Sequence, residues 1–349
     1  MRIVVTGATG NVGTSVLEAL ASEPAVDEIV GLARRRPERN FPRTTFVTAD
    51  IVDADLVSIF RGADAVVHLA WLIQPGRDES VTHAVNVSGS ERVFAAAVDA
   101  GVSAIVYASS VGAYSPGPKD RLVDESWPTE GIRSSFYSRH KAAVERSLDR
   151  LEREHPAVRV ARLRPGLIFK ATAGTEIRRL FVGPFLPRAL LRPALIPIVP
   201  DVPRLRFQAV HSLDVGDAYR RAIVGDARGA FNIAADPVIG PPELASLFHA
   251  HTVPLSAGVL RGAAAATYAL RLQPSEPGWV DMALSVPLMD TARARTELGW
   301  EPSVASLDAL KELIEGMRRA DDLDTPPLAR GTSGPARARE LLTRVGGRV

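Results

Sequence analysis

The chain is expected to fold as an α/β protein: a doubly wound parallel sheet followed by a smaller C-terminal α/β lobe. Three observations predict it. A strand-like apolar run at residues 2–5 passes through a glycine-rich turn into a helical pattern at residues 15–20. Further apolar, β-branched runs recur at residues 28–32, 65–69, 104–108 and 159–163. Helical stretches separate these runs. Their hydrophobicity is continuous instead of alternating, which marks strands covered on both faces, and strand-helix alternation implies right-handed parallel crossovers.

The turn reads Thr6-Gly7-Ala8-Thr9-Gly10-Asn11-Val12-Gly13. Following a strand and opening a helix, it has the form of a dinucleotide seat. A pyrophosphate needs backbone N–H groups and a helix N-terminus close to it, and Gly7, Gly10 and Gly13 remove the side chains that would hold it away.

With 349 residues, 46% of them hydrophobic, the chain can bury one large core or a core plus a lobe. Residues 1–170 are expected to form the nucleotide-binding domain, with some later segments returning to it. Residues 171–319 would form mainly the substrate lobe, and 320–349, rich in Arg, Pro and Gly, a mobile tail. Within the lobe, residues 171–205 turn Pro-rich and apolar and carry Arg178, Arg179, Arg188 and Arg192. An irregular insertion of that length reads as a lid or binding loop, with contact to a membrane surface as a lesser option. Strands are then expected at 207–211 and 230–233, and helices at 214–224, 242–250 and 258–272.

Charge is nearly balanced, 42 basic against 40 acidic residues, so nucleic acid is not an expected partner. The absence of cysteine excludes disulfides and thiolate chemistry and fits a reducing compartment. The seven histidines form no metal-ligand motif, so no metal is expected. A strand beginning at residue 2 leaves no room for a signal peptide, and no apolar run is long enough to span a bilayer. A cytoplasmic location follows as the expectation.

Tyr137-Ser138-Arg139-His140-Lys141 places a phenol and an ammonium four residues apart, neighbours on one helix face. A nearby lysine charge lowers a phenol's pKa toward a range useful for proton transfer. The same spacing also arises on solvated helix faces. Ser109-Ser110 follow a strand end, the edge where open α/β sheets hold their ligands, although serines there also serve as turn or capping residues. Taken together, Ser110, Tyr137 and Lys141 describe acid-base chemistry at an oxygenated carbon beside a dinucleotide.

With these residues the sequence resembles the extended short-chain dehydrogenase/reductase family, also described as NAD-dependent epimerase/dehydratases, nearly end to end. The glycine spacing, Asp50-Ile51, His68-Leu69-Ala70, Asn86-Val87-Ser88-Gly89, Ser110 with Tyr114, and Tyr137 with Lys141 occur in the family's order. So do Arg164-Pro165-Gly166, His211 through Asp214-Val215, Phe231-Asn232-Ile233 and the Leu298–Pro302 stretch. The resemblance implies a Rossmann-like fold, with Tyr137 as general acid/base and Lys141 as the partner that lowers its pKa and holds the nicotinamide ribose. Ser110 would orient the reacting oxygen. Asp50 and Ile51 would flank the adenine, Leu69 and Ala70 would line the cofactor, and Gly7, Thr9, Gly10, Asn11, Val12 and Gly13 would carry the pyrophosphate. Asn86 would anchor backbone near the site or serve as an N-cap. A homodimer is the assembly implied.

The second strand ends in Ala33-Arg34-Arg35-Arg36, with Ala33 where NAD-preferring relatives carry an acid. Arginine forks match a 2′-phosphate, so Arg34 and Arg35 make NADP the expected cofactor, with NAD the alternative. Nucleotide-sugar relatives read RxxNxYGP where this chain has Arg164-Pro165-Gly166-Leu167-Ile168-Phe169-Lys170. Leu167 cannot make the asparagine's hydrogen bond. The arginine that grips a diphosphate in those relatives is displaced as well, with Phe207 in its place and Arg206 beside it. Apolar residues Leu180, Phe181, Phe185 and Leu186 point instead to a less polar substrate, which Trp71 and Gln74 would contact with Ser110 and Leu167. The expected function is an NADP-preferring oxidoreductase acting on a carbonyl or secondary alcohol of a small molecule. The alternatives are a nucleotide-sugar epimerase or dehydratase with retained NAD, and a dinucleotide-sensing or interaction module without turnover.

Overall fold

The computed structural model describes residues 1–74, 77–178, 180, 196–325 and 327–329. Its strands are, in order, β1 (Arg2–Thr6), β2 (Glu28–Ala33), β3 (Thr44–Thr48), β4 (Ala65–His68) and β5 (Ala104–Ala108). There follow β6 (Leu122–Val123), β7 (Arg159–Pro165), β8 (Leu167–Phe169), β9 (Ile198–Asp201) and β10 (Phe207–His211). The last are β11 (Gly229–Ile233), β12 (Ala235–Ile239), β13 (His251–Pro254) and β14 (Leu288–Met289). Helices are α1 (Asn11–Ala21), α2 (Leu56–Phe60), α3 (Glu79–His83), α4 (Gly89–Asp99), α5 (Phe136–Glu154) and α6 (Gly174–Ile177). The second half adds α7 (Ser212–Val224), α8 (Pro241–Phe248), α9 (Ala257–Ala269), α10 (Gly278–Ser285), α11 (Ala292–Glu297) and α12 (Ser306–Arg319).

Seven strands form one Rossmann-like parallel sheet in the order β11-β7-β5-β4-β1-β2-β3. Successive residues of β1 serve opposite cores. Ile3 and Val5 pack with Val16, Leu17 and Leu20 of α1 and Val215 and Tyr219 of α7. Val4 packs on the other face with Phe60, Phe94 of α4 and Leu148 of α5. Both sides of the strand are therefore apolar, which explains its uninterrupted hydrophobic sequence. The strand order reverses between β1 and β4, and the crevice at their carboxyl ends is where such sheets seat a ligand.

Residues beyond 170 contribute to this sheet: β11 extends its edge beside β7, and α7 covers α1. Close approach of those helices depends on Gly216, where a Cβ would stand 2.6 Å from the Ser15 carbonyl oxygen. A separate three-stranded sheet, β12-β10-β8, carries α12, whose Ala309, Leu313 and Met317 bury against Phe169, Ala209 and Ile239. Two-stranded pairs β13-β9 and β14-β6 complete the lobe.

Several elements depart from the sequence expectations. β3 is a full strand although its Thr-rich sequence has no continuous apolar run; it is the outer strand of the sheet and only partly covered. The insertion expected to be irregular holds the short helix α6 and the strand β9. Its Arg179, Phe181, Phe185, Leu186, Arg188 and Arg192 lie outside the described residues. Just after α12, in the segment expected to be mobile, Asp321 N–H donates to the Gly316 carbonyl and Leu328 is fully buried. Among the described residues no helix is long and apolar enough to cross a membrane, and no cluster of three or more acidic or histidine side chains could hold a metal.

Candidate active site

The glycine turn is shaped by contacts that forbid side chains. Gly7 has φ +70°, and a Cβ on it would lie 2.7 Å from the Ala70 nitrogen, beyond β4. A Cβ on Gly13 would lie 2.3 Å from the Gly7 carbonyl oxygen, so the third glycine lets α1 abut the turn. Gly10 differs: its nearest neighbour would be 3.5 Å away, and it borders a cleft. Gly7, Thr9 and Gly10 form the floor of that cleft, Arg34, Arg35, Asp50 and Ile51 one end, and Leu69, Ala70 and Trp71 the other. Glu176 and Pro327, distant in sequence, also border it. This bare-backbone cradle fits a dinucleotide, with the α1 N-terminus beside its floor.

Asn11, Val12 and Gly13 are the first residues of α1, directly after Gly10 at the floor of the cleft. The Asn11 side-chain amide donates to the Ile168 carbonyl at 3.2 Å, and Val12 packs against the core. At the rim, Arg34 and Arg35 are exposed, and among the described residues nothing engages the Arg34 guanidinium. Asp50 accepts from Val52 N–H at 3.1 Å, which fixes the turn after β3.

The wall beyond β4 is braced from behind. Thr6 Oγ1 lies 2.7 Å from His68 Nδ1 and accepts from Ala70 N–H at 3.3 Å, while His68 Nε2 lies 2.8 Å from Ser90 Oγ. Burial pushes His68 down to about 3, with the Lys141 charge acting the same way, so the ring is neutral and structural. Asn86, buried in a π-helical turn joining α3 to α4, accepts from Leu72 N–H at 2.7 Å and donates to its carbonyl at 2.8 Å. It is a backbone clamp in mid-helix, not an N-cap. The π turn is the local irregularity that accompanies this inward amide.

Ser110, Tyr137 and Lys141 are brought together at the carboxyl end of β5. Ser135 caps α5 by accepting from Ser138 N–H, and the helix carries Tyr137, Lys141 and Glu145 on one line, four residues apart. Ser110 and Lys141 are buried and Tyr137 partly so. Lys141 Nζ donates to the Ala108 carbonyl at 2.6 Å and lies 3.4 Å from the centroid of the Trp71 ring and 5.8 Å from that of Tyr137. Through Trp71, the dinucleotide cleft and this cluster are continuous.

Burial dominates the electrostatics of both groups in the protein without a bound dinucleotide. Burial pushes Tyr137 up to about 12, opposed only by a hydrogen bond with Ser110. Burial likewise pushes the Lys141 ammonium well below its usual range, with Glu145 opposing. Desolvation outweighs a cation that faces an indole ring and a carbonyl.

Sequence reasoning missed Glu145 and Trp279. Glu145 is fully buried, gripped by Arg164 through Nε at 2.9 Å and an Nη at 3.0 Å, and by Arg162 at 3.0 Å. Ser109 donates to the same carboxylate. Arg164 also donates to Tyr114 Oη at 3.0 Å, which donates to Asn232 at 2.6 Å. This network ties α5 to β7, β11 and the segment carrying Ser110. Trp279 enters from α10 with its ring 4.9 Å from that of Tyr137, and Trp71 lies 5.7 Å away on another side.

Two residues expected at the substrate, Leu167 and Gln74, do not border the dinucleotide cleft. Leu167 pairs with Ala209 in the β8-β10 register, and its half-exposed side chain does not border the cleft. The Gln74 amide donates to the carbonyls of Leu180 and Pro274, both at 3.3 Å, tying its loop to the lobe.

The family model described as NAD dependent epimerase/dehydratase family matches residues 3–234. Uncharacterized protein Rv2047c of Mycobacterium tuberculosis is 28% identical over 321 residues; the match takes in 91% of this chain, which spans only 30% of that protein's length. A UDP-glucose 4-epimerase of Mycolicibacterium smegmatis is 30% identical over 331 residues, 91% of this chain and 99% of the relative. Among solved structures, a double mutant of DesIV, a dTDP-glucose 4,6-dehydratase from Streptomyces venezuelae with NAD bound, superposes with a TM-score of 0.68 at 22% identity, covering 94% of this chain and 100% of that one. At that identity the likeness is one of fold.

Proposed function

The chain belongs to the NAD dependent epimerase/dehydratase family, and on that premise we propose that it is an extended short-chain NAD(P)-dependent oxidoreductase acting on a carbonyl or secondary alcohol. One observation carries the reading: Ser110, Tyr137 and Lys141 converge at the end of β5, one indole ring from the cradle of Gly7 and Gly10. A bound nicotinamide supplies or takes up the hydride. Tyr137 Oη gives its proton to the substrate oxygen in reduction, which suits a phenol held neutral by burial. Ser110 hydrogen-bonds the same oxygen, and Lys141 holds ribose hydroxyls.

We further assign NADP as the preferred cofactor. Ala33 offers no acceptor for a ribose hydroxyl, and the exposed Arg34 and Arg35 stand at that end of the cleft. The substrate in this reading presents an apolar or aromatic face. The Tyr137 ring is flanked by Trp71 and Trp279, and the basic residues nearest the expected diphosphate grip are occupied: Arg206 donates to the Lys119 carbonyl, and Arg204 to those of Leu284 and Gly117.

A second reading, a nucleotide-sugar epimerase or dehydratase with retained NAD, is favoured by the 30% identity to the mycobacterial UDP-glucose 4-epimerase. The deciding experiment assays the purified protein for bound cofactor and for NADPH oxidation against a panel of aromatic and aliphatic carbonyls. Net NADPH consumption supports the oxidoreductase. Tightly retained NAD with interconversion of UDP- or dTDP-glucose and no net consumption supports the second reading.

A further inference from the structure

Behind the glycine turn lies a lysine that neither the cleft nor the proton-transfer cluster uses. Where nucleotide-sugar relatives read RxxNxYGP, Lys170 occupies the place of the glycine. Its side chain is buried, and Nζ donates to the carbonyl of Asn11 at 2.7 Å, to Thr14 Oγ1 at 2.6 Å and to Ser15 Oγ at 3.1 Å. All three acceptors belong to the first two turns of α1. A second helix starts there as well: Ser212, the first residue of α7, donates to the Asn11 carbonyl at 3.1 Å and lies 2.9 Å from Ser15 Oγ.

This placement opposes the usual rule. Helix N-termini carry partial positive charge, so a cation there is disfavoured and an anion favoured. A buried ammonium beside two helix N-termini raises the local positive potential at a cost to the folded protein, and a dinucleotide's pyrophosphate is the anion for which the adjacent turn is shaped. We propose that Lys170 is a positioning residue for that pyrophosphate, adding its charge from behind the glycine turn and bracing the first turns of α1. The inference rests on the dinucleotide reading of the cleft.

The charged groups around Lys170 fit such a role. Glu18 on α1, Glu176 on α6 and Glu312 on α12 favour its charged form, and Arg39 opposes it. His211, which caps α7, faces Glu312 at 3.1 Å. Among the described residues no carboxylate bonds Lys170 directly, and burial, the largest influence, pushes it down to about 8. The protein alone thus holds this ammonium incompletely charged near pH 8, and a bound anion would restore the proton.

The test is calorimetric titration with NADH and NADPH at pH 8 in buffers of different ionisation enthalpy, together with affinities for ADP-ribose and for adenosine, which lacks the pyrophosphate. Wild type should take up about half a proton on binding. Lys170→Met should take up about half a proton less than wild type and bind ADP-ribose about tenfold more weakly, with adenosine unchanged. The inference is overturned if wild type takes up no proton, if the variant's ADP-ribose affinity stays within about twofold, or if adenosine weakens equally, since a merely structural tether would do that. Should that variant not fold, Lys170→Arg, whose charge does not titrate near pH 8, takes its place: it should keep ADP-ribose affinity within about twofold and take up less proton than wild type, and uptake equal to wild type overturns the inference. Binding of neither dinucleotide would overturn the reading of the cleft itself, whereas binding indifferent to Lys170 overturns this inference only.

Discussion

Trp71 lies over Lys141 with the ammonium 3.4 Å from its ring centroid, and its buried indole N–H has no acceptor among the described residues. Such a cation–π contact is worth up to about 2 kcal/mol when desolvated. Because Trp71 borders both the dinucleotide cleft and the Tyr137 cluster, a bound nicotinamide would alter its surroundings most among the four tryptophans. Titration with NADPH should quench intrinsic fluorescence, and Trp71→Phe should lose the larger share of that quench. A quench that survives intact would place the nicotinamide elsewhere.

Tyr137→Phe removes the proton donor without emptying the space it fills. Turnover should fall by about 10²–10⁴-fold, the usual contribution of a positioned acid. Dinucleotide affinity should stay within about twofold, because the glycine turn is untouched. Parallel steady-state kinetics and binding titrations separate the two effects.

Two glycines of the turn, Gly13 and Gly10, should respond differently. Gly13→Ala drives a methyl to 2.3 Å from backbone oxygen, and stability should drop by on the order of 3 kcal/mol in urea unfolding. Gly10→Ala meets nothing closer than 3.5 Å, so the protein should fold normally yet bind dinucleotide at least about tenfold more weakly.

Replacing both Arg34 and Arg35 by alanine tests the cofactor assignment. NADPH affinity should fall by about 10- to 100-fold, the value of charge-assisted bonds to a phosphate, and NADH affinity by less than about threefold. Equal losses for both would refute a role in reading the 2′-phosphate.

Glu145 links acid stability to the site. Its carboxyl is held at about 2 against an ordinary value of 4.5: Arg164 and Arg162 overcome the burial that acts to raise it. A folded value below the unfolded one means the stabilisation is complete above about 4.5 and lost as the pH falls toward 2. Glu145→Gln should flatten the acid limb of a stability-against-pH curve and cost about 3–5 kcal/mol at pH 7, because the buried Arg164 guanidinium loses its carboxylate, whereas Arg162 keeps Asp149 and Glu152. Chemical denaturation across pH 3–7 measures both.

Local patterns carried most of the fold. Continuous apolar runs marked β1, β2, β4, β5 and β7 because both faces of those strands are covered, while β3, partly covered at the sheet's edge, left no such trace. The glycine turn and Tyr137-x-x-x-Lys141 were legible because their geometry is set within a few residues. Glu145 was not: on α5, rich in Arg and Glu, one more acid reads as a solvated face until Arg162 and Arg164 arrive from β7. Trp279 and Lys170 are likewise brought to the site by packing between segments more than a hundred residues apart.

The pairing of β11 with β7 has a consequence for biosynthesis. Until residue 233 has left the ribosome, the nascent sheet lacks its seventh strand, and the outer edge of β7 presents bare peptide groups to whatever strand comes near. The nucleotide-binding sheet therefore cannot close before residue 233 is made, and an amino-terminal fragment ending near residue 170 should associate with itself instead of standing alone.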